Sequence, residues 1–249
     1  MMGASHAISG AAVWVAITTP AAGFGILSVD PIERIAGAIV CAGAALLPDA
    51  DHPNATIAYS VPGGSLVTGA IGKATGGHRK GMHSLLAVVG VLAAAIALSH
   101  VTFTPDGWDT AIQVGAGIMA AACIAFAVKV LHLARSWLVA WLTGIVAAGI
   151  TSWFFPSHTW WLPVCLTVGY FVHLLGDFLT VGGVPWLWPI MPKPSKTVRE
   201  HPIWKQLWRP FGGFALPLVG KTGSWREQLL TVAMTVYAGW GATVGFFAL

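Results

Sequence analysis

The sequence predicts an all-α, polytopic membrane protein with about seven hydrophobic helices and a metal site at one membrane face. Three observations lead there. Only 9% of the 249 residues are charged and 56% are hydrophobic, whereas soluble domains carry about 25% charged residues. Apolar windows long enough to span a bilayer, ~20 residues, recur along the chain. Ionisable residues set against the apolar runs form three short clusters: 49–52, 78–83 and 173–177.

The first apolar stretch covers 7–27, softly broken by Pro20 and Gly23. No basic residue precedes it, so it reads as a retained helix and not as a cleavable signal peptide. Pro31 restarts the chain, and the run 32–47 ends at Pro48. At 1.5 Å per residue that run reaches about 24 Å, short of a ~30 Å hydrocarbon core. Such a helix either thins the bilayer or leaves its Asp49 end sunk within the protein. Residues 49–83 are rich in Gly, Pro and Ser and read as a loop. Spans follow at 84–103, 110–131, 137–155 and 160–181, joined by the short turns 104–109 and 156–159. A polar segment, 182–226, leads into a last span, 227–249, which Ser224 and Glu227 open as a capping box. The whole chain, 1–249, reads as a single membrane-embedded domain.

Orientation follows from the positive-inside rule. The 49–83 loop holds Lys73, Arg79 and Lys80, the 131–136 connection has Arg135 beside Lys129, and 182–226 has seven Lys and Arg. The alternate turns, 104–109 and 156–159, have none. The basic loops and the N-terminus are therefore expected on the cytoplasmic side. The net charge of +4 speaks for cytoplasmic loops and anionic lipid, and no nucleic-acid partner is expected. Trp153, Trp160 and Trp161 flank the outer turn while Trp137 and Trp141 flank the inner one, the pattern of an aromatic belt. Ile203, Trp204, Leu207, Trp208 and Phe211 recur at helical spacing around Lys205 and Arg209, which predicts a short interfacial helix near 203–211. The three cysteines lie singly in apolar runs and read as small buried hydrophobes.

This topology brings the three polar clusters to one side of the membrane. His173 and Asp177 are four residues apart and share a helix face. Within a membrane helix such groups favour function over a simple Asp–His pair. Asp49, Asp51 and His52 stand at the end of a short helix, where carboxylates oppose the helix dipole and lack an energetic motive of their own. One of these Asp residues can ligate a metal while the other acts as a base on bound water. His78 and His83 bracket a loop-to-helix entry. Arg79 between them suits a phosphate or carboxylate oxygen, and Ser84 suits the N-cap of the next span.

An N-terminal His6 together with LLPDADH, HRKGMHS and HLLGDFLTVGGVPWLWPI resembles the YdjM-like family of LexA-regulated, inner-membrane, predicted metal-dependent hydrolases. Met82 stands where that family usually has Thr, a change that removes no candidate ligand. The resemblance implies a metal site formed by His6, Asp49, Asp51, His52, His78, His83, His173 and Asp177. A weaker similarity in ligand order links these residues to the zinc-dependent phospholipase C and single-strand nuclease superfamily. It implies one or two divalent ions, zinc first and manganese or iron as alternatives, and a phosphoester substrate such as a phospholipid or lipid-linked phosphate. Asp51 as base, Asp49 as ligand or the reverse, and Arg79 on the phosphate complete the expected catalytic set. Two other readings remain at this stage. One is a non-catalytic protein with a structural metal and a partner docking on 193–226; the other is a metal-ion or proton transporter. The expected location is a bacterial or archaeal inner membrane.

Overall fold

A computed structural model describes residues 1–154 and 159–247. It is helical: α1 Gly3–Thr18, α2 Pro31–Ala44, α3 Gly64–Ala74, α4 Leu85–Ser99, α5 Val114–Val130, α6 Trp137–Phe154, α7 Trp161–Phe178, α8 Lys196–Glu200, α9 Trp204–Leu207 and α10 Trp225–Phe247. Among the described residues, β pairing is limited to isolated bridges, such as Thr180 with Gly220 and Val184 with Phe214.

Helix α2 is the axis of the bundle, packed against α1, α5 and α7. Its start is set by Pro31 in the first turn and by the Asp30 N–H, which donates to Glu33 Oε2 at 2.9 Å. Its flanks are crowded by glycine on the neighbouring helices. A Cβ at Gly10 of α1 would stand 2.6 Å from the Cys41 carbonyl oxygen, and one at Gly169 of α7 2.5 Å from the same atom. Small residues let helix backbones approach this closely in an apolar medium. Both neighbours therefore close on one turn of α2, and its C-terminal end emerges between them. Pro48 lacks the N–H that would continue the ladder, and the chain tightens into a 3₁₀ turn over Leu47–Asp51.

Among the described residues, two helical stretches are long and apolar enough to cross a membrane by length and composition, Pro31–Asp51 and Trp161–Phe178. Four apolar helices are shorter: Gly3–Thr18, Leu85–Ser99, Val114–Val130 and Trp137–Ser152. The first of the long pair joins the short expected run 32–47 to the turn beyond it, which recovers the missing length.

Two expectations need correction. The segment 49–83 is not a plain loop: it holds 3₁₀ turns and the eleven-residue helix α3. Its glycines and serines hide the apolar series Leu66, Val67 and Ile71, of which Leu66 and Val67 are exposed. The helix expected near 203–211 is confined to Trp204–Leu207. Pro210 disfavours helical geometry at Arg209, and Trp208 instead bridges to Phe214. Residue 155 of the span 137–155, the outer turn 156–159 apart from Thr159, and residues 248–249 of the last span lie outside the described residues.

Candidate metal centre

The predicted clusters meet at the end of the bundle where α1 and α4 begin and α2 and α7 end. His6 comes from the first turn of α1, Asp49 and Asp51 from the turn after α2, His83 from the turn before α4, and His173 and Asp177 from α7. His6, His83, His173, Asp51 and Asp177 are buried. The side chain of Asp49 is 29% exposed.

Local contacts fix each donor. The ring nitrogen Nδ1 of His173 lies 2.8 Å from the Ala45 carbonyl, which only accepts. In the neutral ring the proton is therefore on Nδ1, and Nε2 presents a lone pair. His83 sits in the 3₁₀ turn Gly81–His83. That turn is pinned by Tyr170, whose hydroxyl donates to the Met82 carbonyl at 2.6 Å, and by Ser84, whose hydroxyl donates to the Gly81 carbonyl at 2.6 Å. Ser84 also accepts from the Ala87 N–H at 3.2 Å, as the expected N-cap of α4. His83 Nδ1 faces Asp51 Oδ2 at 3.4 Å, an ion-pair distance without hydrogen-bond alignment. A carboxylate there favours the proton on Nδ1 and again turns the lone pair to Nε2.

The two Nε2 atoms lie 3.3 Å apart. Asp49 Oδ1 is 3.8 Å from His83 Nε2 and 3.7 Å from His173 Nε2. Asp177 Oδ2 is 3.7 Å from the first and 3.9 Å from the second. Asp49, His83 and His173, from three segments, thus present acceptor atoms to one another, with Asp177 Oδ2 beside both imidazoles. Buried acceptors facing one another are costly unless a cation lies between them. Ligand atoms about 2.0–2.2 Å from a tetrahedral zinc ion stand roughly 3.3–3.6 Å from each other, close to the spacings here. The donor set, imidazole and carboxylate with no thiolate, fits a divalent cation such as zinc, manganese or iron.

The remaining predicted residues surround these four. His6 stacks on His173 at 3.6 Å between centroids and 14° between planes, with Nε2 3.3 Å from Asp177 Oδ1. With His173 and Asp177 it forms a second group of convergent donors. The Met1 amine also donates to Asp177 Oδ1. Asp51 lies behind the centre. Its Oδ1 accepts from His78 Nδ1 at 2.7 Å, its Oδ2 accepts from the Arg79 N–H at 3.0 Å, and the same Oδ2 faces His83. His52 stands further out: its Nδ1 accepts from the Asn54 N–H at 3.1 Å, which leaves a proton rather than a lone pair on the opposite nitrogen of the neutral ring. Arg79 has a left-handed backbone, φ 57°, and its Nη2 reaches Asp177 Oδ2 at 3.0 Å. Its side chain is 30% exposed, at the mouth of the centre.

Three supports were not among the predicted residues: the Ala45 carbonyl, Tyr170, and the Trp186 carbonyl, which accepts from the Leu85 N–H at 3.0 Å. Backbone acceptors leave no mark in residue type. Tyr170 had a signal, since it is one of only three tyrosines and precedes His173 by one helical turn. Glu227 is buried and accepts from the Met2 and Gly223 N–H groups, which ties α10 to the segment leading into α1.

The chain belongs to the YdjM inner membrane protein family, whose model matches residues 1–134 and 133–246. Neither a curated protein nor a solved structure matches it.

Proposed function

We propose that this member of the YdjM inner membrane protein family is a metal-dependent hydrolase of phosphoesters, with phospholipids or other lipid-linked phosphates as its substrate class. The observation that carries the proposal is the convergence of Asp49, His83 and His173, with Asp177 Oδ2 beside both imidazoles. These four residues would hold one divalent cation. His6 and Asp177 Oδ1, beside His173, are the place for a second. A divalent ion bound there supplies a Lewis acid for a phosphoryl oxygen and lowers the pKa of a water molecule.

The chain's own residues supply positioning and proton handling. Asp51 spans two imidazoles from behind, so its role in this arrangement is to orient His83 and to hold the His78 proton on Nδ1. His78, with its side chain 35% exposed, then presents Nε2 at the mouth as a proton acceptor. Arg79 is placed to receive a phosphoryl oxygen by moving its guanidinium away from Asp177. Its left-handed backbone is secured by the Asp51 contact to its N–H, the kind of local strain that recurs at functional sites.

We further propose that the hydrophobic helices form seven spans and that the centre lies at the cytoplasmic end. The basic segments 49–83, 131–136 and 182–226 support that orientation, as they adjoin the helix ends that carry the site or alternate with outer turns free of Lys and Arg. A lipid-linked substrate would then enter from the leaflet.

The test is turnover of a panel of phospholipids and lipid phosphates by reconstituted protein, before and after chelation and metal return. The proposal expects hydrolysis that chelation removes, that metal restores, and that Asp49→Ala abolishes. Metal-loaded wild type that turns over no phosphoester would contradict it and favour a structural metal.

A further inference from the structure

We infer that the arm between α7 and α10, residues 182–226, is a docking surface for an anionic phospholipid leaflet. The inference rests on the membrane location of the family and not on the hydrolase reading, so the two can fail separately.

The arm's charge is one-sided. It carries Lys193, Lys196, Arg199, Lys205, Arg209, Lys221 and Arg226 against the single acid Glu200. Among the described residues, its ion pairs are limited to Lys196–Glu200, at 3.9 Å between two exposed side chains. The other cations are not neutralised by carboxylates of the bundle. Between them stand large apolar side chains that the fold leaves in the open: Ile190 at 75% exposure, Ile203 at 62%, Trp204 at 52% and Trp225 at 68%. A soluble surface rarely combines unpaired cations with this many exposed aliphatic and indole groups. A leaflet of acidic lipid matches both features, because its phosphates attract the cations and its acyl boundary takes the apolar groups. Aliphatic Ile190 and Ile203 set the pattern apart from a nucleic-acid surface, which relies on aromatic stacking.

The arm is also held at the end of the bundle that carries the candidate centre. Backbone hydrogen bonds join Leu216 N to Phe178 O at 2.7 Å, Val219 N to Leu179 O at 3.0 Å and Val181 N to Gly220 O at 2.9 Å. Its base is therefore fixed to the end of α7, and Lys193, Lys196, Arg199 and Lys205 on the following segment are exposed. Gly182, where the arm begins, lies against the Arg79 guanidinium, so the arm starts at the mouth of the centre.

Hydrogen exchange read by mass spectrometry on the full chain tests this in nanodiscs, made either of phosphatidylcholine alone or with phosphatidylglycerol added. Amides of 196–211 are expected to exchange about tenfold more slowly in the anionic discs, with the difference removed by high salt. A Lys196→Gln/Arg199→Gln/Lys205→Gln variant should lose the difference while α5 exchanges as in wild type. All three substituted residues are exposed, so the variant should keep its fold. Equal exchange in the two lipid compositions would overturn the inference. So would a difference that survives both high salt and the triple variant.

Discussion

His83 and His173 point their Nε2 atoms at each other across 3.3 Å, and each ring has its Nδ1 turned toward an oxygen acceptor. An Asp51 carboxylate does this for one ring and the Ala45 carbonyl for the other. The two imidazoles are thus oriented from outside the centre, and their lone pairs are left to a cation. This outer layer is where several expected outcomes arise.

Asp51→Asn should weaken divalent-metal affinity about 10–100-fold, the range seen when a partner behind a metal-binding histidine is lost. The binding stoichiometry at saturation should stay as in wild type, because Asp51 belongs to neither group of convergent donors. Competition titration against a chromophoric chelator reads both quantities. A loss of stoichiometry would make Asp51 a ligand.

Gly182→Ala should move Arg79 without disturbing the metal. The added Cβ meets the far end of a flexible guanidinium, so the side chain swings and the backbone stays. Phosphoester turnover should fall by about tenfold or more, as for loss of one charged contact in the transition state, with metal content unchanged. Unaltered turnover would remove Arg79 from the mechanism.

Gly169→Ala acts on the scaffold. Its Cβ would press on the Cys41 carbonyl and on Ala44 Cβ, the latter at 2.7 Å, and force α7 away from α2. Overpacking of this kind costs about 1–3 kcal/mol, and thermal unfolding in detergent should register it. The same shift should loosen the His173–Ala45 bond and lower metal retention. An unchanged unfolding temperature would mean that the helices separate freely at this point.

Much of this centre was legible in the sequence. The clusters around Asp49, His83 and His173 stood out because ionisable groups are few and costly in an apolar chain. Their meeting at one bundle end followed from counting spans. The division of labour within them was less legible. Asp49 and Asp51 are two residues apart, yet one turns inward to the donors and the other backs onto His78 and His83, as the 3₁₀ turn dictates. His52 looks like a ligand in a PDADH string, but its Nδ1 is taken by the Asn54 N–H two residues on. Helix α3 was hidden by glycine and serine, whose low helix propensity is overridden by packing against the turns at 47–51 and 56–59. The short α9 reflects Pro210, a local signal that the apolar spacing of 203–211 outweighed.

The most direct measurement is metal content by mass spectrometry on detergent-purified protein, kept free of chelator and offered zinc, manganese and iron. Wild type is compared with His83→Ala and His173→Ala. The account predicts about one to two divalent ions per chain in wild type and loss of bound metal in both variants, each still helical by circular dichroism. Folded wild type that retains none of the three metals would contradict it.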